Sequence, residues 1–179
     1  MALDEPHHHH HGEALRLQSH PMSFECPEYW KNVYAQCSSL KEMEDLFSTC
    51  GISISYMREP LRLKSTAGTI LQGCLTQIDR FRNQMTRSLC VYKVGITTNP
   101  VLRFHFYARG NYSKMSLLHI TENMGVAQML EAALLAMHIS EKECRNERFG
   151  GDGPATLDHM GPHFLYIVGA RADCGKPIS

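Results

Sequence analysis

The chain has no apolar run approaching the roughly 18 residues that a membrane span requires, so a soluble protein without a membrane partner is expected. It has no CxxC pair. Its seven cysteines, Cys26, Cys37, Cys50, Cys74, Cys90, Cys144 and Cys174, are odd in number and scattered, which argues against a zinc cluster and against a disulfide framework. That usage fits a reducing, intracellular setting, cytoplasmic or nuclear, with most of the thiols acting as small buried hydrophobes. There is no excess of either charge: 18 basic residues balance 18 acidic ones, and a neutral chain is as a whole a poor binder of polyanions. The first residues lack the apolar segment of a signal peptide. With His7 to His11 in a row they resemble an expression tag, a native metal-binding tract being the alternative, and residues 1–21 are set aside as tag and leader.

What is present is unevenly placed. Between Tyr56 and Lys114 stand Arg58, Arg62, Lys64, Arg80, Arg82, Arg87, Lys93, Arg103, Arg109 and Lys114, against only Glu59 and Asp79. Gathered on one face, these cations could meet a phosphate backbone and release its counterions; spread round the surface, they only solubilise. Both arrangements fit the sequence.

A length of 179 residues suits one domain with an N-terminal extension. In residues 27–36 the apolar positions Tyr29, Trp30, Val33 and Tyr34 have helical spacing behind a Pro. Ser39-Leu40-Lys41-Glu42 is a capping box that opens a second helix, ended by Gly51, so 22–66 reads as a helical hairpin extension. Residues 52–56 alternate with period two and predict an edge strand. From Thr69 to Met85, Ile70, Leu71, Cys74, Leu75, Ile78, Phe81 and Met85 trace one apolar helical stripe, which places Arg80 and Arg82 on the opposite side.

Cys90 to Thr97 then alternates β-branched and polar residues and stops at Thr98-Asn99-Pro100, which predicts a strand, a turn and a short helix over 101–107. Gly95, lacking a Cβ, lets another group approach the strand closely. Arg103 follows on the helix, and the pair can hold an anion. A loop at 108–113, a strand over 115–120 and cap chemistry at Thr121-Glu122-Asn123 come next, opening a helix predicted over 125–143. That helix is apolar almost all round and is expected to be buried. Within it stands Glu131, a carboxylate that needs a cation, a metal or strong donors as partner. A turn-rich segment follows, and then a last apolar β-rich run, 162–169.

The run Tyr92-Lys93-Val94-Gly95-Ile96-Thr97 followed by Arg103 resembles the second motif of the GIY-YIG nuclease superfamily, nearest its phage-associated and fungal branch. The resemblance covers about a third of the chain and extends to Leu130-Glu131, placed like the metal-binding glutamate of that family. The family's Leu-Glu-x-x-Leu-His is altered here, with His138 seven residues after Glu131, so His138 reads instead as a core or helix-end histidine. Asn146 matches an Asn that family members often carry. The first family motif is missing from its usual place before Tyr92. Two explanations stand: Phe164 to Val168 is that strand, moved by circular permutation, or the motif is lost and Tyr166 is a core aromatic.

The resemblance implies an α/β (α+β) domain over 67–179, a small, twisted, mostly antiparallel sheet flanked by helices. In the permuted case 164–168 pairs antiparallel with 91–95, and Tyr166, Lys93, Arg103 and Glu131 line one surface. It implies a divalent-metal-dependent endonuclease acting on phosphodiester bonds of DNA or RNA. Tyr92, Lys93, Arg103 and Tyr166 would be its catalytic residues, Glu131 the ligand of Mg²⁺ or Mn²⁺, and Gly95 and Asn146 its support. Arg80, Arg82 and Arg109 would contact nucleic acid. The alternative is a non-catalytic module that binds nucleic acid or protein on the same scaffold.

Overall fold

The computed structural model describes residues 40–54, 66–147 and 162–179. The expected leader, the helix at 27–36, Ser39 of the capping box, Arg58, Arg62, Lys64 and the Gly-rich part of the loop after residue 147 lie outside the described residues. Eight elements follow in order: α1 Leu40–Ser48, β1 Ile52–Ile54, α2 Ala67–Gln84, β2 Cys90–Thr97, α3 Pro100–Arg109, β3 Lys114–Thr121, α4 Met124–His138 and β4 His163–Arg171.

Short polar side chains start three of the helices by satisfying backbone N–H groups that have no intrahelical partner. Thr66 accepts from the Thr69 N–H, Asn99 from Leu102 and Asn123 from Val126. Pro100 follows Asn99 at the first turn of α3, where its missing N–H costs nothing.

The sheet runs β1-β3-β4-β2, with β1 and β3 parallel and the other two pairings antiparallel. The expected antiparallel pairing of these two strands is observed, shifted by two residues so that 164–168 lies opposite 93–97, with Gly95 opposite Tyr166 and Lys93 opposite Val168. β4 is one of the two inner strands, between β3 and β2. It is covered on both faces, so it reads as an unbroken apolar run rather than an alternating one.

Two apolar layers sandwich the sheet, an α+β arrangement. Met43, Leu46 and Phe47 of α1 and Val101 and Tyr107 of α3 pack on one face with Val91, Phe164, Tyr166 and Val168. On the other, Cys74, Ile78 and Phe81 of α2 and Leu130, Leu134 and Leu135 of α4 pack with Cys90, Tyr92, Val94, Leu165 and Ile167. Residues 40–54 thus share the core of the sheet, so the boundary drawn at residue 66 does not separate them from it.

Two expectations for α4 are corrected. The helix ends at His138, five residues early, because 143–145 leave it to pair with β2: the Tyr92 N–H donates to the Glu143 carbonyl and the Arg145 N–H to that of Tyr92. Nor is the helix buried all round, since Met129 and Met137 are exposed. Among the described residues no helix is long and apolar enough to cross a membrane, and their five cysteines are free thiols.

Candidate functional site at the open end of strand β2

β2 is an edge strand among the described residues, and its outward backbone groups need partners. Three are found in turn. The 143–145 segment pairs with Tyr92. The Asn146 side-chain amide accepts from the Val94 N–H and donates to the Val94 carbonyl, both at 2.9 Å. At Ile96 the backbone hydrogen-bonds to the Glu131 carboxylate. Asn146 is therefore a clamp on the strand, and Glu131 is held at the strand's end by the same edge.

Glu131 is only 6 % exposed. Burial pushes its carboxyl up to about 7; the Ile96 hydrogen bond and the field of Arg103 pull the other way. Arg103, half-buried on the first turns of α3, acts electrostatically on Tyr166 as well, as does Glu131. The hydroxyl end of Tyr166 crosses Gly95: a Cβ on that residue would stand 2.7 Å from Tyr166 Cζ and nearer still to its hydroxyl. The glycine is required by this close approach and not by its backbone angles. Tyr166 Oη and Tyr107 Oη are 3.0 Å apart, and the Lys93 ammonium sits 5.8 Å from the Tyr107 ring centre and 6.0 Å from that of Tyr112.

Gly95 of β2, Tyr107 of α3 and Tyr166 of β4 thus meet on one face of the sheet, with Lys93 beside the Tyr107 and Tyr112 rings. Glu131 instead comes from α4 on the other face to the Ile96 end of β2, where it is within the electrostatic reach of Arg103 and Tyr166; the expected single surface shared with Lys93 is not formed. Tyr107 is the residue that the sequence reading missed. Its signal is its place four residues after Arg103, on the same side of the helix.

The structure moves two expected site residues elsewhere. Tyr92 points to the opposite face of the sheet from Lys93 and Tyr166, as alternate residues of a strand must relative to their neighbours. There it is fully buried, with its hydroxyl 2.8 Å from His138 Nδ1 at the end of α4, the core, helix-end place expected of that histidine. Arg82 is 2 % exposed rather than on an outer face. Its guanidinium lies 4.6 Å above the Tyr92 ring and 3.4 Å from Glu143, out of reach of a phosphate backbone.

Arg80 and Arg109 are both exposed. Arg109 closes α3, on the same helix as Arg103. Arg80 lines a cleft of about 470 Å³ beside β1, at the far edge of the sheet from β2.

Chemically, neither Tyr92 nor Tyr166 is a base near neutral pH, because burial raises both phenols. They can donate hydrogen bonds. Among the described residues no three His, Cys, Asp or Glu side chains gather as a metal-binding group. Glu131 is the carboxylate of this cluster, and a carboxyl raised by burial would be stabilised as the anion by a cation. That fits Mg²⁺ or Mn²⁺ held by one carboxylate and otherwise by water. Comparison with family models, with curated proteins and with solved structures finds no match to this chain.

Proposed function

We propose that the chain is a divalent-metal-dependent nuclease of GIY-YIG type that hydrolyses phosphodiester bonds of DNA or RNA. One observation carries this reading: a carboxylate, a guanidinium and a pair of phenols, supplied by three helices and strands distant in sequence, converge where Tyr166 crosses Gly95. Arg103 would bind the phosphate and offset the charge that grows on it during attack, the kind of preorganised stabilisation that contributes most to such reactions. Lys93 adds a second cation on the same side of the sheet. Tyr166, whose phenol burial raises, and Tyr107 share one hydrogen bond, which leaves one O–H of the pair to orient an oxygen. Glu131 would hold Mg²⁺ or Mn²⁺, which when bound supplies Lewis-acid polarisation and a water of lowered pKa. Arg109 extends the positive charge along α3. Free thiols, including the exposed Cys174, suit an intracellular setting.

A second reading, a binding module without chemistry, is favoured by the near-closure of the cluster, with Tyr166 1 % and Glu131 6 % exposed. Incubating the protein with single- and double-stranded DNA and RNA in Mg²⁺, Mn²⁺ or EDTA separates the two. The nuclease reading expects cleavage that EDTA stops; binding without cleavage under every condition favours the module.

A further inference from the structure

The outward face of α3 carries two large apolar side chains in contact with water, Leu102 at 46 % and Phe106 at 56 % exposed. Each residue turns a helix by about 100°, so Phe106 lies about 60° round from Arg103 and one turn along, with Leu102 about 40° beyond it. Arg109 follows Phe106 by a further three residues. Going round the helix from the Glu131 side, the order is therefore Arg103, Phe106, Leu102, Arg109. The exposed ring stands between two cations, one of which reaches the candidate site.

Two further features give this face a chemistry. α3, Pro-Val-Leu-Arg-Phe-His-Phe-Tyr-Ala-Arg, contains no acidic residue. Phe106 is also held from behind: its ring meets that of Tyr107 edge to face at 5.6 Å, and Tyr107 is buried and bonded to Tyr166. A braced, exposed aromatic ring flanked by arginines on a helix without acidic residues complements a flat, neutral surface on an anionic backbone.

We propose that Phe106, one helical turn after Leu102, is a stacking platform for an unpaired base, so that the proposed site takes a single-stranded segment of nucleic acid. The inference rests on the nuclease reading and deepens it. A base inside a duplex has both faces covered by its neighbours, whereas an unpaired one can lay its π-face on Phe106 while the adjoining phosphate lies on Arg103 and the next runs toward Arg109. Base stacking on an aromatic side chain tolerates any sequence, so the platform selects strandedness rather than bases.

The test is fluorescence anisotropy with the full chain, using a labelled single-stranded DNA 20-mer and its blunt duplex. Phe106→Ala, Phe106→Leu, Phe106→Trp and Arg103→Ala are compared with the wild type, with thermal melts to confirm folding. Tighter binding of the single strand is expected, with a loss of about tenfold in Phe106→Ala and Phe106→Leu, recovery in Phe106→Trp, and little change on the duplex. Arg103→Ala should weaken both ligands. If Phe106→Leu binds as the wild type does, the contact is not stacking and the inference is overturned. If Phe106→Ala is unchanged while the wild type binds and cleaves, the platform fails and the nuclease reading stands. If the wild type binds neither ligand at about 50 mM salt, where phosphate contacts are strongest, both fail together.

Discussion

On the α2 and α4 side of β2, Arg82, Glu143 and Tyr92 come together; at the Ile96 end of the same strand, Arg103, Glu131 and Tyr166 do. The side-chain types are identical and the outcomes differ. In the first group the arginine is buried and paired with its glutamate at 3.4 Å over a tyrosine ring, and the hydroxyl of that ring bonds to His138. In the second the arginine is half-exposed, and the glutamate is held by one backbone hydrogen bond with its carboxyl raised to about 7. The first group spends its charges on one another and stiffens the core. The second leaves a buried carboxyl without a close cationic partner among the described residues, its charge offset only by a backbone hydrogen bond and the field of a half-buried arginine.

The sharpest way to break this comparison is to remove the glutamate of the second group. Glu131→Ala is expected to abolish metal-dependent cleavage, by about 1000-fold or more given what a metal centre contributes, while leaving the fold intact because a costly buried carboxyl is gone. Cleavage and a thermal melt measured on one preparation check both halves.

The second test uses pH, where the two groups act in opposite senses. Glu131 has a folded pKa above its ordinary 4.5, so its contribution to stability is fully present below that value and is lost as pH rises toward about 7. The amount is about 3 kcal/mol. His138 has a folded pKa lowered by burial and by Arg82, so its contribution is present above the ordinary 6.5 and is lost on acidification. Urea unfolding from pH 4 to 8 should show Glu131→Gln gaining stability over the wild type at pH 8 but not at pH 4. Mg²⁺ should raise the melting temperature of the wild type at pH 8 and leave that of Glu131→Gln unchanged.

Gly95→Ala comes next, at about 1–3 kcal/mol of lost stability, because the new methyl would push Tyr166 out of a packed position. Denaturant midpoints measure the loss, and a change in tyrosine near-ultraviolet circular dichroism would locate it. Tyr92→Phe should cost about 1 kcal/mol, the value of a buried hydrogen bond, with no change in nucleic-acid binding, since the ring and its contact with Arg82 remain. The smallest effect is expected at Arg80. Its charge reversal should alter the salt dependence of binding less than that of Arg109, because Arg80 stands at the far edge of the sheet.

The elements themselves were largely legible. The cap chemistry at Thr121-Glu122-Asn123 marked the start of α4, the turn at Thr98-Asn99-Pro100 that of α3, the apolar stripe from Thr69 the body of α2, and the apolar β-rich run at 162–169 the strand β4. The resemblance supplied its partner, which composition could not. What escaped depended on direction. A strand covered on both sides has no polar face to say which way Tyr92 turns, so its neighbour Lys93 and it were assigned to one site when they lie on opposite faces. Arg82 falls four residues after Ile78, on the inner stripe of α2, but a charged residue there reads as solvent-facing unless the partners that hold it, Glu143 and Tyr92, are already in view. The early end of α4 likewise carries no Gly or Pro and is imposed from outside by the edge of β2.

The sheet order carries a consequence for how the molecule comes into being. β2 and β3 do not pair with each other; each waits for β4, which comes after both in the chain. Until residues 163–171 are made, β2 and β3 each have an open edge, and among the described strands the pairing available is that of β1 with β3. Such long-range closure is slow and leaves sticky edges exposed meanwhile. Because Tyr166 is carried by that last strand, Gly95, Arg103 and Glu131 have nothing to gather round until folding is nearly finished, so a partly made chain would hold no assembled site.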